Sequence, residues 1–277
     1  MRVWGCVAAL VAALVFAGAA QAAPRYAALG DSYAAGPLIP AQLPPFGCLK
    51  SSSNYAHLAE LTLRYAEFAD PTCSGAETED MTQTQGVTPG PNPPQFDSLT
   101  ADTALVTVQI GGNDIGFSSI AKDCLSTSPD GHPCQDKYVV DGQDEISRRI
   151  AEAAPKVDAV LDGIRARSPI AKVLVVNYSA ILPHTGDGCW PLMPVARADV
   201  PYMRAKQEEL NAMLAQQAAA DGDTLVDVYA ASVGHDACTL PGLRWVEPVV
   251  PNNAAAPLHP NILGMQAMAT MVVAAAR

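Results

Sequence analysis

Tyr26-Ala27-Ala28-Leu29-Gly30-Asp31-Ser32-Tyr33-Ala34-Ala35-Gly36 runs a short apolar stretch into a glycine and then into small residues. It reads as a buried strand handing the chain to a helix, with Ser32 at the junction. Outward from it the pattern repeats. Strand-like runs at Arg64 to Phe68, Ala104 to Ile110, Lys172 to Tyr178 and Thr224 to Val228 alternate with helical stretches. The helices are expected at Asn54 to Leu63, Glu145 to Arg167, Tyr202 to Ala220, and from Pro260 or Asn261 to Ala275. Short apolar strands separated by helices predict an α/β fold, with a central parallel sheet covered on both faces: a single three-layer α/β/α domain. Loops rich in Pro and Gly at Pro37 to Gly47, Gly86 to Pro94 and Ile181 to Pro194 are long enough to carry function. No internal repeat and no shift in composition divides the 277 residues.

The composition excludes several classes. With 49% hydrophobic and 16% charged residues the chain is globular rather than disordered. A formal charge of -11 repels nucleic acid and anionic headgroups, so no nucleic-acid partner is expected. Arg2, the apolar run Val3 to Ala20 and the small-x-small site Ala20-Gln21-Ala22 read as a secretory leader, residues 1–22, cleaved to release 23–277 outside the cell. The run is Ala-rich and weakly hydrophobic, and the last helix is too short to span a bilayer, so stable membrane insertion is not expected. Cys6 lies too early in the leader for a lipid-modified cysteine. Six cysteines remain: Cys48, Cys73, Cys124, Cys134, Cys189 and Cys238. An even number in an exported chain suggests disulfides, of which six cysteines allow 15 pairings, and spacing alone does not choose. Pairing in sequence order closes the shortest loops and is the expectation. No Cys-x-x-Cys pair exists and none of the five histidines is spaced for metal, so no metal or other cofactor is expected.

Three short elements carry chemistry. Gly30-Asp31-Ser32-Tyr33 places Ser32 at the carboxyl edge of the first strand, where open α/β sheets bind ligands. Main-chain N–H groups and the helix dipole would favour an anion developing there. By itself the tripeptide is more often an ordinary turn or cap. Gly111-Gly112-Asn113-Asp114 follows the most strand-like run and can aim the Asn113 amide at the same edge, or simply hold a tight turn. Leu258-His259-Pro260-Asn261 precedes the last helix, where Pro260 at the first helical position would present His259. A serine nucleophile needs a base within reach and donors for an oxyanion, and the three elements together supply both. No serine has glycines on both sides at the spacing of a nucleophile elbow, so the α/β-hydrolase fold is excluded.

These blocks, with Cys73-Ser74-Gly75-Ala76 as a fourth, resemble in order and spacing the signature blocks of the SGNH hydrolases, also called the GDSL lipase/esterase family. The match spans nearly the whole chain after the leader. The six cysteines look like those of its secreted actinomycete lipases and esterases, whose disulfides join neighbours. The resemblance implies a flavodoxin-like fold and carboxylic ester hydrolysis, with Ser32 as nucleophile and His259 as general base. It also implies an oxyanion hole made by the N–H groups of Ser32 and Gly75 and the side chain of Asn113. The chain departs from the family pattern twice. Tyr33 stands where Leu is usual, and Ala256 stands where a triad aspartate is common. The Ala256 backbone carbonyl is therefore expected to orient His259. Asp114, Asp97 and Asp236 are the rival remote acids, with Asp236 read as structural. Leu38, Ile39, Leu43, Phe46, Ile181, Leu182, Trp190 and Leu192 could line an acyl groove or simply pack the loops. The expected substrate is a small-molecule or lipid acyl ester, acted on by a monomer. A carbohydrate acetylesterase is the second reading and a catalytically silent binding module the third.

Overall fold

The computed structural model describes Met1 and residues 24–277, so the leader expected at residues 1–22 lies, apart from Met1, outside the described residues. Five parallel strands form the central sheet: β1 (Arg25–Gly30), β2 (Glu67–Ala69), β3 (Thr103–Gln109), β4 (Lys172–Val176) and β5 (Thr224–Val226). Their spatial order is β2-β1-β3-β4-β5, the flavodoxin-like order expected. The order reverses between β1 and β3. These strands pair in register from Tyr26 opposite Leu105 to Gly30 opposite Gln109, so they end level, with a crevice above them.

Successive strand residues face opposite layers, and both layers are apolar. Ala27, Leu29, Val106, Val108, Val173 and Val175 join one core, whereas Tyr26, Ala28, Leu105, Leu174 and Val176 join the other. The eight helices of the described residues are α1 (Ser32–Ala35), α2 (Tyr55–Leu63), α3 (Phe117–Asp123), α4 (Pro133–Tyr138), α5 (Glu145–Arg167), α6 (Asp199–Ala220), α7 (Val228–Ser232) and α8 (Ile262–Ala276). Helix α5 shows why the sequence folds this way. Asp144 caps it by accepting from the N–H groups of Ile146 and Ser147 at 3.0 and 3.2 Å. Ile146, Ile150, Ala153, Val157, Leu161 and Ile164 then recur at helical spacing and bury one face. Helices α5 and α6 cover the first core, and α2 and α8 the second.

Most boundaries differ from expectation by a residue or two, and three differences have a clear local cause. Strand β2 begins at Glu67 rather than Arg64, because Arg64 takes a left-handed conformation (φ 55°) and ends α2 by donating its N–H to Glu60. Helix α6 begins at Asp199, ahead of Pro201, since a proline in the first turn has no helical hydrogen bond to lose. Helix α8 begins at Ile262, with Asn261 as its cap accepting from Leu263 and Gly264 N–H, so Pro260 lies outside the helix. The disulfides Cys48–Cys73, Cys124–Cys134 and Cys189–Cys238 follow sequence order, as expected. No helix among the described residues is long and apolar enough to cross a membrane.

Candidate active site

The site is assembled at the crevice between β1 and β3. Strand β1 ends at Gly30 (φ 150°), where a Cβ would meet the Gln109 carbonyl oxygen at 2.5 Å, so only glycine lets the two strand ends approach so closely. Gln95 clasps the Gly30 peptide, accepting from its N–H at 2.8 Å and donating to its carbonyl at 3.0 Å. Asp31 caps α1, and Ser32 is its first residue.

His259 enters from the loop before α8, and its Nε2 lies 2.7 Å from Ser32 Oγ. Nδ1 faces the Pro257 carbonyl at 2.8 Å. A carbonyl can only accept, so Nδ1 carries the proton and Nε2 is left as the acceptor for the serine hydroxyl. Burial pulls the imidazole below its usual value, and the Pro257 carbonyl opposes that shift.

The expected orienting group is thereby corrected by one residue. The Ala256 carbonyl accepts the main-chain N–H of His259 at 3.2 Å and does not meet the ring. The reason is a turn. Ala256 to His259 close an i to i+3 hydrogen bond with Pro257 second and Leu258 third at φ 63°, which is a type II turn. The positive φ flips the central peptide and turns the Pro257 carbonyl toward the imidazole. The rival acids lie elsewhere. Asp114 accepts from the N–H and hydroxyl of Thr78 at 3.1 and 2.5 Å, and Asp236 accepts from Cys238 N–H at 2.9 Å. Asp97 lies in a single 3₁₀ turn, Gln95–Ser98, and none of the three is a hydrogen-bond partner of His259 among the described residues.

Gly75 (φ 81°) follows the bridged Cys73, whose N–H bonds the Gly30 carbonyl at 3.1 Å and so draws this loop to the end of β1. The N–H groups of Ser32 and Gly75 have no hydrogen-bond acceptor among the described residues. Asn113 rides the turn after β3. One N–H of its carboxamide goes to the Ala76 carbonyl at 2.9 Å, which leaves the second free. These groups are those named from the sequence.

Two partners were not visible in the sequence. The Tyr178 hydroxyl donates to Asp31 Oδ2 at 2.6 Å and accepts from Gly112 N–H at 2.8 Å, bridging the Ser32 turn to the Asn113 turn. Burial pushes the Asp31 carboxyl up to about 7 against the hydrogen bonds from Tyr178 and Tyr33. Gln95 is the other. Both act across long sequence separations and carry no local motif.

Beside Ser32 an apolar pocket opens between α3, α6 and the loop after β4, with Phe117, Ile120, Ile181, Leu182, Met193 and Leu210 on its walls. Of the apolar loop residues named from the sequence, Ile181 and Leu182 line it. Ile39 instead joins the core against α8, and Leu38, Phe46 and Leu192 are exposed.

Comparison with known proteins agrees with this geometry. Residues 28–267 match the model of the GDSL-like Lipase/Acylhydrolase family. The chain is 41% identical over 274 residues to Lipase 2 of Streptomyces coelicolor, covering 94% of this chain and 89% of that protein. Among solved structures, phospholipase A1 from Streptomyces albidoflavus NA297 superposes with a TM-score of 0.75 at 26% identity, covering 91% of this chain and 98% of that one. The extracellular lipase of Streptomyces rimosus gives 0.70, also at 26% identity and with the same coverage. A serine and a histidine in hydrogen-bond contact at the sheet's switch point, on a chain matched over most of its length, lead to one assignment: the protein belongs to the GDSL-like lipase/acylhydrolase family.

Proposed function

We propose that this carboxylic ester hydrolase works through an acyl-enzyme on Ser32 and takes esters with an extended acyl chain. The observation that carries the mechanism is the 2.7 Å contact between Ser32 Oγ and His259 Nε2, with Nδ1 already committed to Pro257. Ser32 Oγ attacks the ester carbonyl while His259 Nε2 takes its proton. The oxyanion is received by the N–H groups of Ser32 and Gly75 and the free N–H of Asn113. His259 then returns the proton to the leaving alkoxide, and a water activated by the same imidazole releases the acid. A peptide carbonyl holds the imidazole's tautomer without a countercharge, so this is a dyad supported by the backbone.

The apolar pocket beside Ser32 supports an acyl chain over an acetyl group, which would leave most of that wall uncovered. The named relatives, lipases and a phospholipase A1, point to glycerolipid esters as the substrate class. The three disulfides and the leader read at residues 1–22 support export, with the protein acting as a monomer and without nucleic acid. The test is fluorophosphonate labelling of the oxidised protein with mass mapping, alongside hydrolysis of p-nitrophenyl butyrate, p-nitrophenyl palmitate and acetylated xylan. A single adduct on Ser32 with activity on the long ester is the expected result. An adduct on another serine would discard the dyad, and preference for acetylated xylan would discard the acyl-chain reading.

A further inference from the structure

Tyr33, the residue after the nucleophile, makes a second contact with the loop that carries the base. Its hydroxyl donates to the Leu258 carbonyl at 2.5 Å, and its ring lies against the His259 imidazole with centroids 4.9 Å apart. Leu258 is the third residue of the type II turn, at φ 63°, where glycine or asparagine is the usual occupant. A branched side chain in that region is strained, and the conformation persists only where its surroundings hold it. Here both main-chain polar groups of Leu258 are held. Its N–H bonds the Glu247 carbonyl at 3.1 Å and its carbonyl takes the Tyr33 hydroxyl, while Glu247 N–H secures the His259 carbonyl at 3.0 Å. If the turn relaxed to type I, the central peptide would rotate and the Pro257 carbonyl would leave Nδ1.

We propose that Tyr33 is a positioning residue: its hydroxyl clamps the strained turn that presents the Pro257 carbonyl to His259, doing from the nucleophile's own helix what a triad carboxylate would do from a loop. The inference rests on the Ser32/His259 reading above. It assigns a purpose to the position where this chain departs from the family's usual Leu. A leucine could pack against the imidazole but could not donate to the Leu258 carbonyl.

The test compares wild type, Tyr33→Phe, Leu258→Gly and the double variant, with active sites counted by fluorophosphonate titration so that misfolded protein does not enter the rates. In Tyr33→Phe we expect kcat to fall about tenfold or more with KM within about twofold, since a lost turn-holding hydrogen bond of about 1.5 kcal/mol is close to a factor of 10. The acid limb of kcat/KM should move to lower pH, because the Pro257 carbonyl favours the protonated imidazole and would be engaged less often. Asp31 and Tyr178, the other ionisable groups packed near the Tyr33 ring, are unaltered in this variant. Glycine at 258 removes the conformational strain, so Tyr33→Phe should cost at least threefold less in the Leu258→Gly background. Unchanged kcat and acid limb in Tyr33→Phe would overturn the proposal. So would an equal loss in both backgrounds, or a loss confined to KM, which would make Tyr33 only a wall of the pocket. Absence of Ser32 labelling in the wild type would instead be a failure of the underlying mechanism.

Discussion

Asn113 divides its carboxamide between structure and chemistry, one N–H on the Ala76 carbonyl and one turned to the proposed oxyanion. Asn113→Ala is therefore expected to lower turnover by roughly 10² to 10³, as loss of a single oxyanion donor does, and to lower the thermal midpoint by only about 2 to 4 °C through the lost Ala76 hydrogen bond. Steady-state kinetics on p-nitrophenyl butyrate with a parallel melt checks both halves. Asp31 makes a different kind of prediction. Burial raises its carboxyl in the folded protein to about 7, above its unfolded value, so the fold binds the proton more tightly than the unfolded chain does. The stabilisation from that group is complete at low pH and declines as pH rises toward and through about 7, with a slope of at most about 1.4 kcal/mol per pH unit. Asp31→Asn should flatten this decline between pH 4.5 and 7.5 in urea titrations. A slope identical to wild type would mean that Asp31 is ionised in the fold.

At the scale of elements, the acyl pocket is a gap between α3, α6 and the loop after β4 rather than a groove cut into the sheet. Filling it should change chain-length preference without touching the chemistry. Met193→Phe is expected to cut activity on p-nitrophenyl palmitate at least tenfold relative to butyrate, measured as a ratio of kcat/KM on the two esters. Equal loss on both would place the acyl chain elsewhere. The principal strands and long helices were legible in the sequence because each obeys one local rule. The strands are continuous apolar runs, and α5 opens at Asp144 with a regular apolar face. The short helices α3, α4 and α7 were not legible, since segments of 5 to 7 residues have too few turns to show periodicity. Ser32, Gly75, Asn113 and His259 were legible as blocks. Tyr178 and Gln95 were not, because their partners Asp31 and Gly30 lie 147 and 65 residues away. The carbonyl facing His259 was misplaced by one residue because a type II turn with Leu258 third breaks the sequence preference that would have revealed it.

At the scale of the whole molecule, three disulfides each fasten a loop near the candidate site or its pocket, and Cys48–Cys73 holds the loop of Gly75. Exchanging Cys48 and Cys73 together for serine should lower unfolding free energy by about 2 to 4 kcal/mol in guanidinium titrations. It should also lower turnover, since the Gly75 N–H loses its anchor. A full loss of stability with turnover per folded molecule unchanged would separate the bridge from the oxyanion hole. The backbone acceptor opposite His259 has a consequence for inheritance. A carboxylate in that place is erased by one codon change, whereas every amino acid at 257 still carries a carbonyl. Saturating mutagenesis of the entire gene should therefore show no single indispensable acid serving the base. Intolerance should gather instead at Tyr33, whose side chain holds the turn from a position far away in the coding sequence that meets it only in the folded chain.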